Sequence, residues 1–376
     1  MIYLDNAATT KPCSEACQAV MKGLECFGNP SSLHKAGLEA EQLVTAARES
    51  TAKALGVSAD EICFTSGATE SSNTAIFGAY KAHGKRKKRV VTTTVEHPSV
   101  AKCFDELERS GCEVIRISPD ENGEFQAEDI FSAVNDDTFL VSCMLVNNET
   151  GAVLPIEKAF SMIKKKFPKV LTHCDCVQGF MKLPFTAKKL SADMISLSGH
   201  KIYAPKGIGA LYVKKGVHIP ALLLGGGQEK GFRSGTESVP LICGFGAAVE
   251  KLMPNVSENL KKAAEVRDYL CEKCSENGEI FVNSKENSSP YVLSISVKDI
   301  KSEVLLHYLE KKEIYVSSGS ACSKGKKSSV LKEFKVSEQN LDTTLRISFS
   351  VNTTKSDIDG LMDGIRSAQK ELCRLK

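Results

Sequence analysis

Short apolar runs alternate, as far as residue 253, with longer segments whose apolar positions recur at helical spacing. The runs at 62–65, 89–93, 111–117, 139–146, 170–175, 193–197 and 207–213 read as strands. Helical periodicity marks 14–26, a long amphipathic stretch ending at Leu55 before Gly56, and then 72–80, 128–134 and 156–167. Gly28-Asn29-Pro30-Ser31-Ser32 separates the first two helices, and Ser31 or Ser32 is placed to cap the second. Regular alternation of strand and helix predicts an α/β fold, with a mostly parallel sheet covered by helices on both faces. After Pro254 the pattern changes to a long charged helix, an alternating strand at 291–297, a helix at 302–311, a strand at 344–348 and an amphipathic helix at 356–374. The expected division is a large domain over 16–253 and a smaller α+β domain over 254–376, with 1–15 as a segment joining the small one.

In such a sheet, ligands collect beyond the carboxyl ends of the strands. Ser66-Gly67-Ala68-Thr69-Glu70 follows the run at 62–65 and precedes a helix, so its amides and the positive helix end suit a phosphate. It is neither a GxGxxG nor a GKS/GKT loop, and a plain tight turn would read the same way. His97, Asn148, Asp175 with Gln178, and Ser198-Gly199-His200-Lys201 each stand at or just past the end of a further strand. Singly, each has an ordinary explanation: a turn cap, a satisfied half-buried ring, a helix cap, a surface lysine. Together they occupy one rim of one sheet. Lys201, between two apolar runs, can be partly desolvated, which makes an amine nucleophilic toward aldehydes. Pyridoxal phosphate requires such a lysine, an acid that keeps its ring nitrogen protonated, a phosphate cradle and a group flat against the ring. Lys201, Asp175, the turn at 67–69 and His97 match those needs in turn.

Composition adds mainly exclusions. A net charge of +3 over 376 residues gives no case for a nucleic-acid-binding surface. No apolar run approaches the ~20 residues that cross a bilayer, and no secretory leader is visible, so no membrane partner and a cytoplasmic location are expected. The 14 cysteines then read as free thiols in a reducing compartment. Cys271 and Cys274 have a CxxC spacing but no second pair or histidine nearby, so no metal site is expected.

The last part of the chain carries two further features. Ser317-Ser318-Gly319-Ser320-Ala321-Cys322-Ser323-Lys324 sets one thiol among small residues and lysines, and nearby positive charge favours the reactive thiolate. Arg346 is the single arginine of its strand, suited to a bidentate grip on a carboxylate. With these, the chain resembles the cysteine desulfurases, pyridoxal-phosphate enzymes of the class V aminotransferase group, over essentially its full length. The matching stretches, in order, are Tyr3-Leu4-Asp5-Asn6-Ala7-Ala8-Thr9-Thr10, Thr65-Ser66-Gly67-Ala68-Thr69-Glu70-Ser71, Ser198-Gly199-His200-Lys201, Arg233-Ser234-Gly235-Thr236-Glu237 and Ser317-Ser318-Gly319-Ser320-Ala321-Cys322.

The resemblance implies a fold-type-I large domain and a homodimer with active sites at the interface. It implies Lys201 as the Schiff-base lysine, Asp175 on the pyridinium nitrogen, Gln178 on the phenolic oxygen and His97 stacked on the ring, assisting proton transfer. Ala68, Thr69, Ser198 and His200 would hold the phosphate, with Thr236 reaching in from the partner subunit. Asn148 and Arg346 would grip the carboxylate of L-cysteine. Cys322 would attack the substrate sulfur, giving alanine and a persulfide destined for an iron–sulfur scaffold or a tRNA-thiolation protein. Cys174 and Cys176 depart from the family's usual small or aliphatic residues and are expected to pack rather than react. The alternatives are a selenocysteine lyase or another class V aminotransferase, which do not require the Cys322 loop in this form. A non-enzymatic sulfur carrier would not need Lys201, Asp175 and His97.

Overall fold

The computed structural model, which describes residues 1–318 and 328–372, joins the seven early apolar runs into one sheet. The strands in chain order are β1 (Ile2–Tyr3), which lies apart, then β2 (Ile62–Thr65), β3 (Arg89–Thr93), β4 (Glu113–Ile117), β5 (Thr138–Met144), β6 (Leu171–Asp175), β7 (Met194–Ser198) and β8 (Gly209–Val213). Across the sheet they run β2-β8-β7-β6-β5-β3-β4. All neighbours are parallel except at β8, which runs antiparallel to both β2 and β7. Successive residues feed opposite faces. Val90, Met194 and Leu211 join one apolar cluster, while Val91, Ile195 and Ala210 join another. Strands buried on both faces must be apolar throughout, which is why they stand out as runs.

The first four helices are α1 (Ser14–Glu25), α2 (Lys35–Leu55), α3 (Ala68–His83) and α4 (Pro98–Arg109). Along α2, Ala40, Val44, Ala47, Thr51 and Leu55 are buried at helical spacing, and Gly56 closes the helix in the left-handed region at φ +69°. The cap expected from Ser31 or Ser32 is made instead by His34, whose ring accepts from the Gly37 N–H at 3.3 Å. The two serines fall in the preceding turn, which closes through Ser32 N–H to the Asn29 carbonyl. Helix α3 begins at Ala68 rather than at 72. Its polar first turn hides the apolar period, and Glu70 accepts the Ser66 N–H at 2.8 Å.

The remaining strands are β9 (Ile280–Val282), β10 (Val292–Val297), β11 (Ile314–Tyr315), β12 (Ser317–Ser318) and β13 (Thr344–Ser348). Four of them form an antiparallel sheet in the order β12-β13-β10-β9, and β11 pairs in parallel with β1. A third apolar cluster, including Leu4, Leu270, Ile295, Ile347 and Ile358, packs here. The alternation expected of β10 is present, yet both faces are buried. Ser294 and Ser296 stay inside because the Asn283 amide donates to both, at 3.2 and 2.9 Å, and Ser296 pairs with Thr344 at 3.0 Å. Among the described residues no helix is long and apolar enough to cross a membrane.

The first ten residues act as an arm between the two sheets. Ile2 and Leu4 donate to the carbonyls of Glu313 and Tyr315, and Ala7 N–H donates to Ser348 Oγ at 2.8 Å. A few residues on, Thr10 N–H donates to the His200 carbonyl, just past the end of β7.

Candidate active site

The carboxyl ends of β5, β6 and β7 and the start of α3 open on a cavity of about 740 Å³. Ala68, Thr69, His97, Asn148, Asp175, Gln178, Ser198, His200, Lys201 and Arg346 all line it. Thr236 does not. It is exposed, on a loop tied to α3 by the ion pair of Arg233 Nε with Glu70 Oε1 at 2.8 Å. Cys322 lies outside the described residues. A larger cleft of about 1060 Å³ opens elsewhere, beside the paired side chains of Arg48 and Glu229, and holds none of the expected residues.

Lys201 ends a short turn, Gly199–Lys201, that leaves β7 directly. Its Nζ donates to the Ala7 carbonyl and, at 2.7 Å, to the Ala8 carbonyl. Two residues on, Tyr203 sits in the left-handed region at φ +62°, a conformation costing an L-residue about 1–2 kcal/mol. The arm and the stretch after β13 hold it there: Tyr203 N–H donates to Thr10 Oγ1 at 2.7 Å, and its hydroxyl accepts the Val351 N–H at 2.9 Å.

Asp175 ends β6 and is only 5% exposed. Its Oδ1 accepts the Val177 N–H at 3.0 Å, whereas Oδ2 makes no hydrogen bond among the described residues. Burial pushes this carboxyl up to about 6, against the Val177 N–H and the charge of Lys201. Close by, buried Glu96 is pushed up to about 8 by desolvation, and one of its oxygens is unpaired among the described residues. Gln178 donates through Nε2 to the Ala7 carbonyl at 2.9 Å and accepts from Lys182 Nζ at 2.8 Å.

His97 caps α4, its Nδ1 accepting the Ser99 N–H at 3.1 Å, which assigns the proton of the neutral ring to Nε2. Desolvation and the Lys201 charge both lower its pKa. His200 is held lower still, to about 4, by burial and then by neighbouring lysines. Both rings are therefore neutral at neutral pH.

Helix α3 presents its first-turn amides to the cavity after Gly67, whose φ of +154° and ψ of 175° suit glycine alone. A Cβ on the facing Gly209 would sit 2.7 Å from Gly67 Cα, so the two glycines permit the close approach of β8 to this turn. A buried chain fixes the helix from below. His173 pairs with Ser142 at 2.7 Å and Ser196 at 2.8 Å, and Ser72 of α3 donates to Ser196 at 3.1 Å. Desolvation takes His173 down to about 3, so it bridges as a neutral ring.

Arg346, from β13, is 8% exposed. Its Nη2 pairs with Asp5 at 2.8 Å, its Nη1 donates to the Asn148 carbonyl at 3.1 Å, and its buried Nε has no partner among the described residues. The turn cap considered for Asn148 belongs to Asn147, whose Oδ1 accepts the N–H groups of Glu149 and Thr150. Cys174 and Cys176 are wholly buried, and burial raises the Cys174 thiol well above its ordinary range, in keeping with a packing role. Among the described residues no cluster suits a metal ion.

Asp5, the Ala7 and Ala8 carbonyls and Lys182 were not singled out as site residues from sequence. The small residues after Tyr3 signal only that a backbone approaches something closely. Lys182 had one available signal: it follows Gln178 by four residues across the apolar Phe180-Met181.

The aminotransferase class-V family model matches residues 2–361. A NifS/IcsS protein homolog of Lactobacillus delbrueckii subsp. bulgaricus is 39% identical over 368 residues, covering 96% of this chain and 94% of the relative. A cysteine desulfurase of Nostoc sp. is 39% identical over 373 residues, covering 96% and 91%. Among solved structures, a NifS-like protein superposes with a TM-score of 0.93 at 36% identity, covering 99% of this chain and all of the other.

Proposed function

This chain belongs to the class V aminotransferase family, and we propose that within it the protein is a cysteine desulfurase, converting L-cysteine to L-alanine while one sulfur atom passes to its own thiol. The observation carrying this reading is that the lysine, the acid, the phosphate-facing helix start and the buried arginine converge on one cavity. The family's pyridoxal phosphate, when bound, supplies an electron-withdrawing ring that stabilises negative charge on the substrate's α-carbon.

The residues present fit that group. Asp175 keeps an unbonded oxygen in a buried position, which a protonated ring nitrogen would satisfy. Lys201 would hold the aldehyde carbon, His97 would lie against the ring, and Gln178 would donate to the phenolic oxygen. Ala68, Thr69, Ser198 and His200 would take the phosphate at the positive end of α3. Thr236, exposed and not lining this cavity, would serve the site of a second copy in a homodimer.

Toward the substrate, Arg346 has an Nε donor with no partner among the described residues, and with Asn148 it would orient the carboxylate. His97, neutral with its proton on Nε2, would hydrogen-bond in the site, and it would deliver a proton only after taking one up as imidazolium. Cys322, as thiolate, would attack the cysteine sulfur. The carbon–sulfur bond breaks, the carbon takes a proton, and the products are alanine and a Cys322 persulfide. That persulfide would pass to a sulfur-acceptor protein of iron–sulfur assembly or tRNA thiolation. Residues 16–253 would form the cofactor-binding domain and 254–376 the domain bearing Cys322, with 1–15 joining the latter.

The test is mass spectrometry of the loaded protein after exposure to cysteine. One additional sulfur is expected on the peptide containing Cys322, with stoichiometric alanine. Sulfur on Cys174, Cys176 or Cys274, with Cys322→Ala fully active, would overturn the mechanism.

A further inference from the structure

Lys182 is a buried amine to which the reaction assigns no role. It is 5% exposed and, among the described residues, has no carboxylate within ion-pair distance. Its Nζ lies over the Tyr291 ring at 5.9 Å and donates to Gln178 Oε1 at 2.8 Å. Burial, and then the charges of Lys201 and Arg346, bring this amine down to about 7, so its placement is not explained by charge pairing. The residue before it, Met181, is held in the left-handed region at φ +58°, a strained position for a bulky L-residue. The chain accepts that strain where it turns Lys182 back toward Gln178.

The chemistry of the two contacts defines what this achieves. A carbonyl only accepts, so the Gln178 atom facing the Ala7 carbonyl must be the amide nitrogen. An amine or ammonium donates, so the atom facing Lys182 must be oxygen. The flip of Gln178 is thus fixed from both sides, and an N–H donor on Oε1 makes the amide's own N–H groups stronger donors, the more so when the amine is charged. We propose that Lys182 is a positioning residue that locks and polarises the Gln178 amide, so that its donor edge faces the cavity and stabilises negative charge on the cofactor's phenolic oxygen. This rests on the cofactor site proposed above.

The readout is the pH midpoint of the bound cofactor's visible absorption band, compared in wild type, Lys182→Met, Gln178→Leu and the double variant. A donor on the phenolic oxygen weakens that oxygen's hold on the neighbouring proton, so losing Lys182 should raise the midpoint by roughly half a pH unit or more. In the Gln178→Leu background, Lys182→Met should shift it no further. An equal shift in both backgrounds would mean a plain charge effect and overturn the proposal, as would no shift in either. If Lys182→Met does not fold, Lys182→Gln takes its place. Its shorter, neutral amide does not reproduce the amine's contact with Gln178 Oε1, so an unchanged midpoint there would also overturn the proposal. Absence of any band in wild type would instead refute the cofactor site itself, so the two failures are distinguishable.

Discussion

Asp175 shows what a single buried acid costs and what it supplies. Its pKa rises from 3.8 to about 6 on folding, so the folded chain holds this proton more tightly than the unfolded chain. Stability therefore falls as pH climbs through that window, and above it the full penalty, at most roughly 3 kcal/mol, remains. Asp175→Asn should make the cofactor-free protein more stable at pH 7.5 and should lose that advantage near pH 4, as read by urea unfolding. The same substitution should lower alanine production by about a hundredfold or more, because an amide cannot hold the ring nitrogen protonated. An Asn variant no more stable than wild type at pH 7.5 would contradict the burial argument. Asp175 was legible in the sequence because it ends an apolar run. Lys182 was passed over because a lysine within an apolar stretch looks like any surface lysine until its burial is known.

Among the elements, the start of α3 depends on backbone shape more than on side chains. A Cβ on Gly67 would meet no atom within 4 Å, so Gly67→Ala tests conformation without a clash. Holding alanine at that φ and ψ costs about 1–3 kcal/mol, and relieving the strain rotates the first-turn amides. Cofactor dissociation should become roughly tenfold faster, as followed by loss of the visible band on dilution. An unchanged rate would remove these amides from the phosphate site. The strands were readable because both faces of the sheet are covered. Element ends were harder to read: the polar first turn of α3 hid its beginning, and His34 took a capping role that sequence preference assigns to serine. The β10 serines could not be foreseen as buried, since their partner Asn283 lies outside that strand.

For the whole molecule, the arm over residues 2–10 joins what the two sheets hold separately. It pairs with β11, bonds Ser348, carries the Asp5 partner of Arg346 and supplies the carbonyls that seat Lys201. A chain beginning at residue 11 should lose the visible band even if both sheets persist by circular dichroism. A retained band would show that the large sheet alone seats the cofactor. The same geometry bears on how the molecule is made. The arm is synthesised before Glu313, Tyr315, Arg346 and Ser348, which it must meet and which follow it by on the order of 300 residues. At ordinary elongation speeds that is a delay of roughly 15 to 60 s. Through that interval the nascent chain can complete its large sheet while the arm that seats Lys201 lacks its anchors, so synthesis itself withholds a competent site until β11 and β13 have been made.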